Sequence, residues 1–152
     1  MRNITNALAE LNEETLVIET EQRLHDNPAA IIEAYCAGLS EVARRYDAGS
    51  YYLSDLLAAL AITAAGLARI NDDQKEKAGL PTAPDYGYSL YGLDTIIALI
   101  SSRIIFEMRS CRQQNPALAS FKLKTGDEIQ TVLNQMMDFK VEVNQAYSRR
   151  LI

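Results

Sequence analysis

The sequence predicts an all-α fold, a single helical bundle of five or six helices, on three observations. Ala at 20 and Leu at 18 far outnumber Val at 5, and there are only 7 Gly and 4 Pro, a balance that suits helices and disfavours a mainly β or disordered chain. The 152 residues, 48% apolar and 23% charged, furnish one core and not two full domains. Apolar residues also recur every three or four positions along most of the chain.

The first helix opens near Asn12 and runs to about His25, with Leu16, Val17, Thr20 and Leu24 at helical spacing. Asn12 is its N-cap, and acids follow in the first turn. Asn27-Pro28 opens the second, an N-cap followed by Pro at the first helical position. Its stripe is Ile31, Ile32, Tyr35, Cys36, Leu39, Val42 and Tyr46, with Gly38 a candidate kink. Asp47-Ala48-Gly49-Ser50 stops it, Gly standing near the C-cap. Tyr51 to Ile70 reads as a largely buried third helix ended by Asn71-Asp72-Asp73.

Two prolines and two glycines between Gly79 and Tyr88 mark a connecting loop. A long helix is expected from about Ser89 to Arg112, where Leu90, Leu93, Ile97, Ile100, Ile104, Met108 and Cys111 keep helical spacing, and Asn115-Pro116 restarts the chain. Thr125-Gly126-Asp127-Glu128 has the form of a capping box, opening a last helix with Ile129, Val132, Leu133, Met136, Lys140, Val143 and Tyr147. Residues 89–152 are thus further long helices of one domain spanning 1–152.

The net charge of −5 disfavours a sequence-independent grip on nucleic acid or on an anionic membrane. Cys36 and Cys111 form no C-x-x-C, which points to reduced thiols and a cytoplasmic setting. The N-terminus lacks the layout of a signal peptide, and the uncharged apolar run Leu56 to Ala68 is too short to span a bilayer.

His25 is the only histidine. A di-metal carboxylate site needs an E-x-x-H from each of two helices, and here only Glu21 and His25 share a face one turn apart. Two cysteines and one histidine do not form a zinc set. His25 reads as a helix-end residue beside Asp26, and both cysteines lie on apolar faces as packing thiols. No G-x-x-x-x-G-K-[ST] or G-x-G-x-x-G phosphate loop occurs. Asp94, Arg103 and Glu107 interrupt an apolar helix, the last two at pairing distance on its surface. Tyr51, Tyr52, Tyr86, Tyr88 and Tyr91 gather at helix starts and the central loop, where such rings pack or line pockets. No carboxylate pair is singled out by spacing, so catalysis is not expected.

From Glu13 to Ile70 the text EETLVIETEQRL, then NPAAIIEAYCAGLSEVARRYDAGSYYLSDLLAALAIT, resembles the helical cap domain of cobalamin-dependent methyltransferase corrinoid proteins and methionine synthase. The stretch GLSEVARRYDAGSYYLSDLLAA carries most of the likeness. In that family about four helices precede a Rossmann-like cobalamin domain and shield the upper face of the corrin from water. The resemblance implies that Tyr52, Leu53, Leu56 and Leu57 fall at or near the corrin-facing region. The family's D-x-H-x-x-G motif is absent, and the nearest text, KTGDEIQTVL at Lys124 to Leu133, has Glu and Gln where the motif needs His and Gly. Ala37 and Ser54 stand where family members usually carry Pro.

Two functions follow as expectations. One is a non-catalytic binding module that engages a corrinoid, another planar or apolar small ligand, or a cobalamin protein in trans, without a histidine lower ligand of its own. The other is a structural or regulatory helical protein acting through homo-oligomerisation or partner-helix packing, the apolar stripes of the two long helices being its motive.

Overall fold

A computed structural model describes residues 2–78, 97–102, 105 and 118–151. Among the described residues all regular structure is helical and no strand occurs, as the composition predicts. The helices are α1 (Arg2–Ala9), α2 (Glu13–Arg23), α3 (Pro28–Asp47), α4 (Leu53–Ala78) and α5 (Leu118–Leu151). Residues 97–102 are also helical, burying Ile97 and Ile100. The loop expected at Gly79 to Tyr88, the remainder of the helix expected at Ser89 to Arg112, and Asn115-Pro116 lie outside the described residues, with Tyr86, Tyr88, Tyr91, Asp94, Arg103, Glu107 and Cys111.

Two of the three expected N-terminal caps form. The Asn12 side chain accepts from the Thr15 amide at 3.1 Å, and that of Asn27 accepts from the Ala29 amide at 3.0 Å with Pro28 at the first helical position. The last turn of α3 closes through Ala48 and Gly49, the latter at φ 85°, a left-handed conformation that glycine adopts without penalty.

Four features differ from the sequence reading. Helix α1 precedes the helix expected first, and it ends without a glycine: Leu11 takes φ 58°, and the amides of Leu11 and Asn12 bond back to the carbonyls of Leu8 and Ala7. Gly38 lies within a continuous α3, and its part there is to let α1 approach, since a Cβ at this position would stand 2.8 Å from that of Leu8. Helix α4 continues through Asn71-Asp72-Asp73 to Ala78, with Asn71 and Asp73 turned inward, 6% and 7% exposed. The helix-propensity deficit of Asn and Asp is only tenths of a kcal/mol each, so these residues do not stop a helix held by packing. Finally, Thr125-Gly126-Asp127-Glu128 opens no helix, because α5 starts at Leu118 and runs through it.

The core joins all five helices. Ile4, Leu8, Leu16, Leu24, Ile31, Ile32, Tyr35, Leu39 and Val42 meet Leu56, Leu60, Leu67 and Ile70 of α4, and Ile129, Val132, Met136, Phe139 and Val143 of α5. Helix α3 is the centre, packing most extensively on α1 and α5. Helix α5 runs antiparallel to it: Ile129 and Leu133 lie beside Tyr46, while the Lys140 ammonium reaches Glu33, near the start of α3, at 3.2 Å. The apolar run read as Leu56 to Ala68 extends to Leu53–Asp73, long and apolar enough by length and composition to cross a membrane. Leu56, Leu60, Thr63, Leu67 and Ile70, at 0% exposure, form its buried stripe.

Candidate functional site

The turn between α3 and α4 is held by one guanidinium. Arg45 donates to the Ala9 carbonyl at 3.1 Å, the Tyr51 hydroxyl at 2.9 Å, Glu10 at 3.0 Å and Glu41 at 3.1 Å. Tyr51 in turn donates to the Ala9 carbonyl at 2.6 Å, and the guanidinium carbon stands 5.4 Å from the centre of its ring. The end of α1, the end of α3 and the start of α4 are thereby tied at one point. Hydrogen bonds from Arg44 and Arg45 hold the Glu41 carboxyl down at about 2. The start of α4 is fixed by Asp55, whose carboxylate accepts from the Tyr52 amide at 2.8 Å.

The four residues assigned to ligand contact divide by burial. Tyr52 projects outward, 75% exposed. Leu53 and Leu57 are half-buried and packed against the core. Leu56 is fully buried, and it lines a cavity of about 300 Å³ between α3 and α5, with Ser40, Ala43, Tyr46, Ile129 and Leu133 among its neighbours. So Tyr52, Leu53 and Leu57 stand at the outer side of the helix start, while Leu56 faces inward to the cavity that α5 also lines.

A second cavity, of about 160 Å³, opens between α2, α3 and α4. Leu16, Val17, Ile62, Ala65 and Gly66 give it apolar walls, and Glu13, Glu21 and Arg69 stand around it. The Thr20 and Tyr35 hydroxyls meet there at 2.6 Å, both residues nearly inaccessible at 3% and 1%. Burial raises the Tyr35 hydroxyl pKa above the phenol range, opposed by the Thr20 bond and reinforced by Glu21. Sequence periodicity placed Thr20 and Tyr35 on their helix stripes but did not bring them together. Gly66, a lone glycine inside an apolar helix, was the signal for close packing here.

The remaining candidates are placed plainly. His25 is exposed in the turn after α2, and Glu21 pairs across helices with Arg69. Cys36 is half-buried, and burial pushes its thiol up to about 11. No group of three or more His, Cys, Asp or Glu is gathered as a metal site among the described residues.

Residues 1–71 match a family model described as a B12 binding domain. The match covers α1, α2, α3 and most of α4, taking in the helix before Asn12 that the sequence reading passed over. No curated protein and no solved structure gives a significant match to the chain.

Proposed function

We propose that the chain is a non-catalytic helical binding module that engages a corrinoid, or a cobalamin-carrying protein in trans, at the edge formed by Tyr52, Leu53 and Leu57. The observation that carries this reading is the match of residues 1–71 to a B12 binding domain on an all-helical scaffold. An exposed tyrosine beside two half-buried leucines suits an apolar cover over one face of a planar macrocycle. The cavity beside Leu56, about 300 Å³, is at the lower end of ligand-pocket volumes and admits at most an edge of such a ring. A bound cobalamin would supply cobalt–carbon chemistry; this chain's side chains would exclude water from it. His25 is exposed in the turn after α2, and this reading assigns it no part in cobalt ligation.

Methylcobalamin added to the purified protein tests this. Co-elution of colour and a shifted visible spectrum are expected, both lost in Tyr52→Ser/Leu57→Glu. No retained colour at micromolar concentration, alone or with a cobalamin-carrying protein present, overturns the reading.

A second reading, self-association, rests on Met137 and Val141, one turn apart on α5 and 42% and 53% exposed. Light scattering that returns a larger mass for wild type than for Val141→Glu supports it, and a strict monomer at all concentrations refutes it.

A further inference from the structure

The cavity between α2, α3 and α4 shares no lining residue with the one beside Leu56, and its chemistry is different. Its polar feature is the Thr20–Tyr35 pair. Two hydroxyls carry two hydrogens, and their single mutual bond uses one. Among the described residues neither hydroxyl donates to a carbonyl, whereas Thr63 donates to the Ala59 carbonyl at 2.7 Å and Thr131 to that of Asp127 at 3.1 Å. One O–H therefore remains to be donated, on residues 1% and 3% exposed that line the cavity. A desolvated donor without an acceptor is unfavourable and uncommon in native proteins.

Gly66 makes this arrangement possible, since a Cβ there would lie 2.4 Å from the Tyr35 hydroxyl oxygen. The volume, about 160 Å³, matches the roughly 150 Å³ of an apolar cavity that accepts benzene. Charge narrows the ligand further. Glu13 and Glu21 stand at the cavity, and the Arg69 guanidinium is engaged with Glu21, one of its bonds being 3.1 Å, so an anionic ring finds no uncommitted cation there.

We propose that this cavity is a binding site for a non-anionic, phenol-sized aromatic molecule whose oxygen accepts a hydrogen bond from the Thr20–Tyr35 hydroxyl pair. The site is independent of any corrinoid reading of the α4 edge.

Phenol and toluene, equal in heavy atoms, are the probes, titrated into the full ¹⁵N-labelled chain while the Thr20 and Gly66 amides are followed. A purely apolar cavity prefers toluene, because phenol is better hydrated. The site proposed here gives saturable shifts with phenol and binds it at least as tightly as toluene. Thr20→Val/Tyr35→Phe removes both hydroxyls, weakening phenol about tenfold, as one net hydrogen bond warrants, with toluene unchanged. Ala65→Leu fills the cavity from its exposed rim and abolishes both titrations. Absence of saturable phenol shifts, a toluene preference in wild type, or phenol shifts that persist in Ala65→Leu overturns the proposal. If the double variant does not fold, the wild-type order of affinities and the Ala65→Leu comparison still decide.

Discussion

A methyl group at position 66 would lie 2.4 Å from the Tyr35 hydroxyl oxygen and 2.5 Å from a ring carbon, so the buried Tyr35 ring must shift and break its 2.6 Å register with Thr20. Gly66→Ala gains up to ~1 kcal/mol of helix propensity but forces overpacking that costs about 1–3 kcal/mol. A net destabilisation of up to about 2 kcal/mol is expected, read as a lower urea midpoint at unchanged m-value. The Cys36 thiol gives a second prediction at this scale. Burial raises it from the ordinary value of 9.0 to about 11, so the unfolded chain ionises first as pH rises. The folded state loses stability between those values and keeps its full contribution below 9. In a Cys111→Ser background, iodoacetamide should label native Cys36 at pH 8 at least about tenfold more slowly than the urea-unfolded chain, since the thiolate is the nucleophile. Equal rates would show that the thiol is not desolvated. Periodicity made Tyr35 and Cys36 legible as members of one α3 stripe. The Thr20–Tyr35 meeting was not, because it depends on how α2 is rotated against α3.

At the scale of elements, legibility followed local chemistry. Helices α2 and α3 announce themselves through Asn12, Asn27 and Pro28, whose side chains or rings act within their own first turn. Helix α1 lacks such a signal: Leu11 occupies the left-handed position where glycine is usual, and tertiary packing of Ile4 and Leu8 compensates. The T-x-x-E text at Thr125 misleads for the converse reason, since a capping pattern has no force where the preceding residues are already helical. Gly126 tests this directly. It lies inside α5, with nothing within 4 Å of the Cβ it lacks. Gly126→Ala should therefore stabilise the protein by about 0.5–1 kcal/mol, measured as a raised thermal midpoint. A neutral or destabilising result would mean that the helix starts at the capping pattern after all.

The stretch that carries the family match ends at residue 71, yet the core does not end there. Val132, Met136, Phe139 and Val143 are all at 0% exposure in one cluster with Leu39, Val42 and Leu56. Burying a side chain of this size contributes about 1.5–3 kcal/mol, so four of them rival the 5–15 kcal/mol that stabilises a typical domain. A chain cut after Ala78 keeps every residue of the match but uncovers the α3 face under α5 and removes one wall of the cavity that Leu56 of α4 lines. Such a chain should bind a hydrophobic dye and lose its sharp thermal transition. Phe139→Ala in the full chain should cost about 3–5 kcal/mol by leaving a cavity, read from chemical denaturation. A shortened chain that unfolded as cooperatively as the full one, at the same midpoint, would show that α5 is an appendage. The expected outcome makes α5 the structural roof of the α3 face, integral to the fold although it lies beyond the family-matched residues.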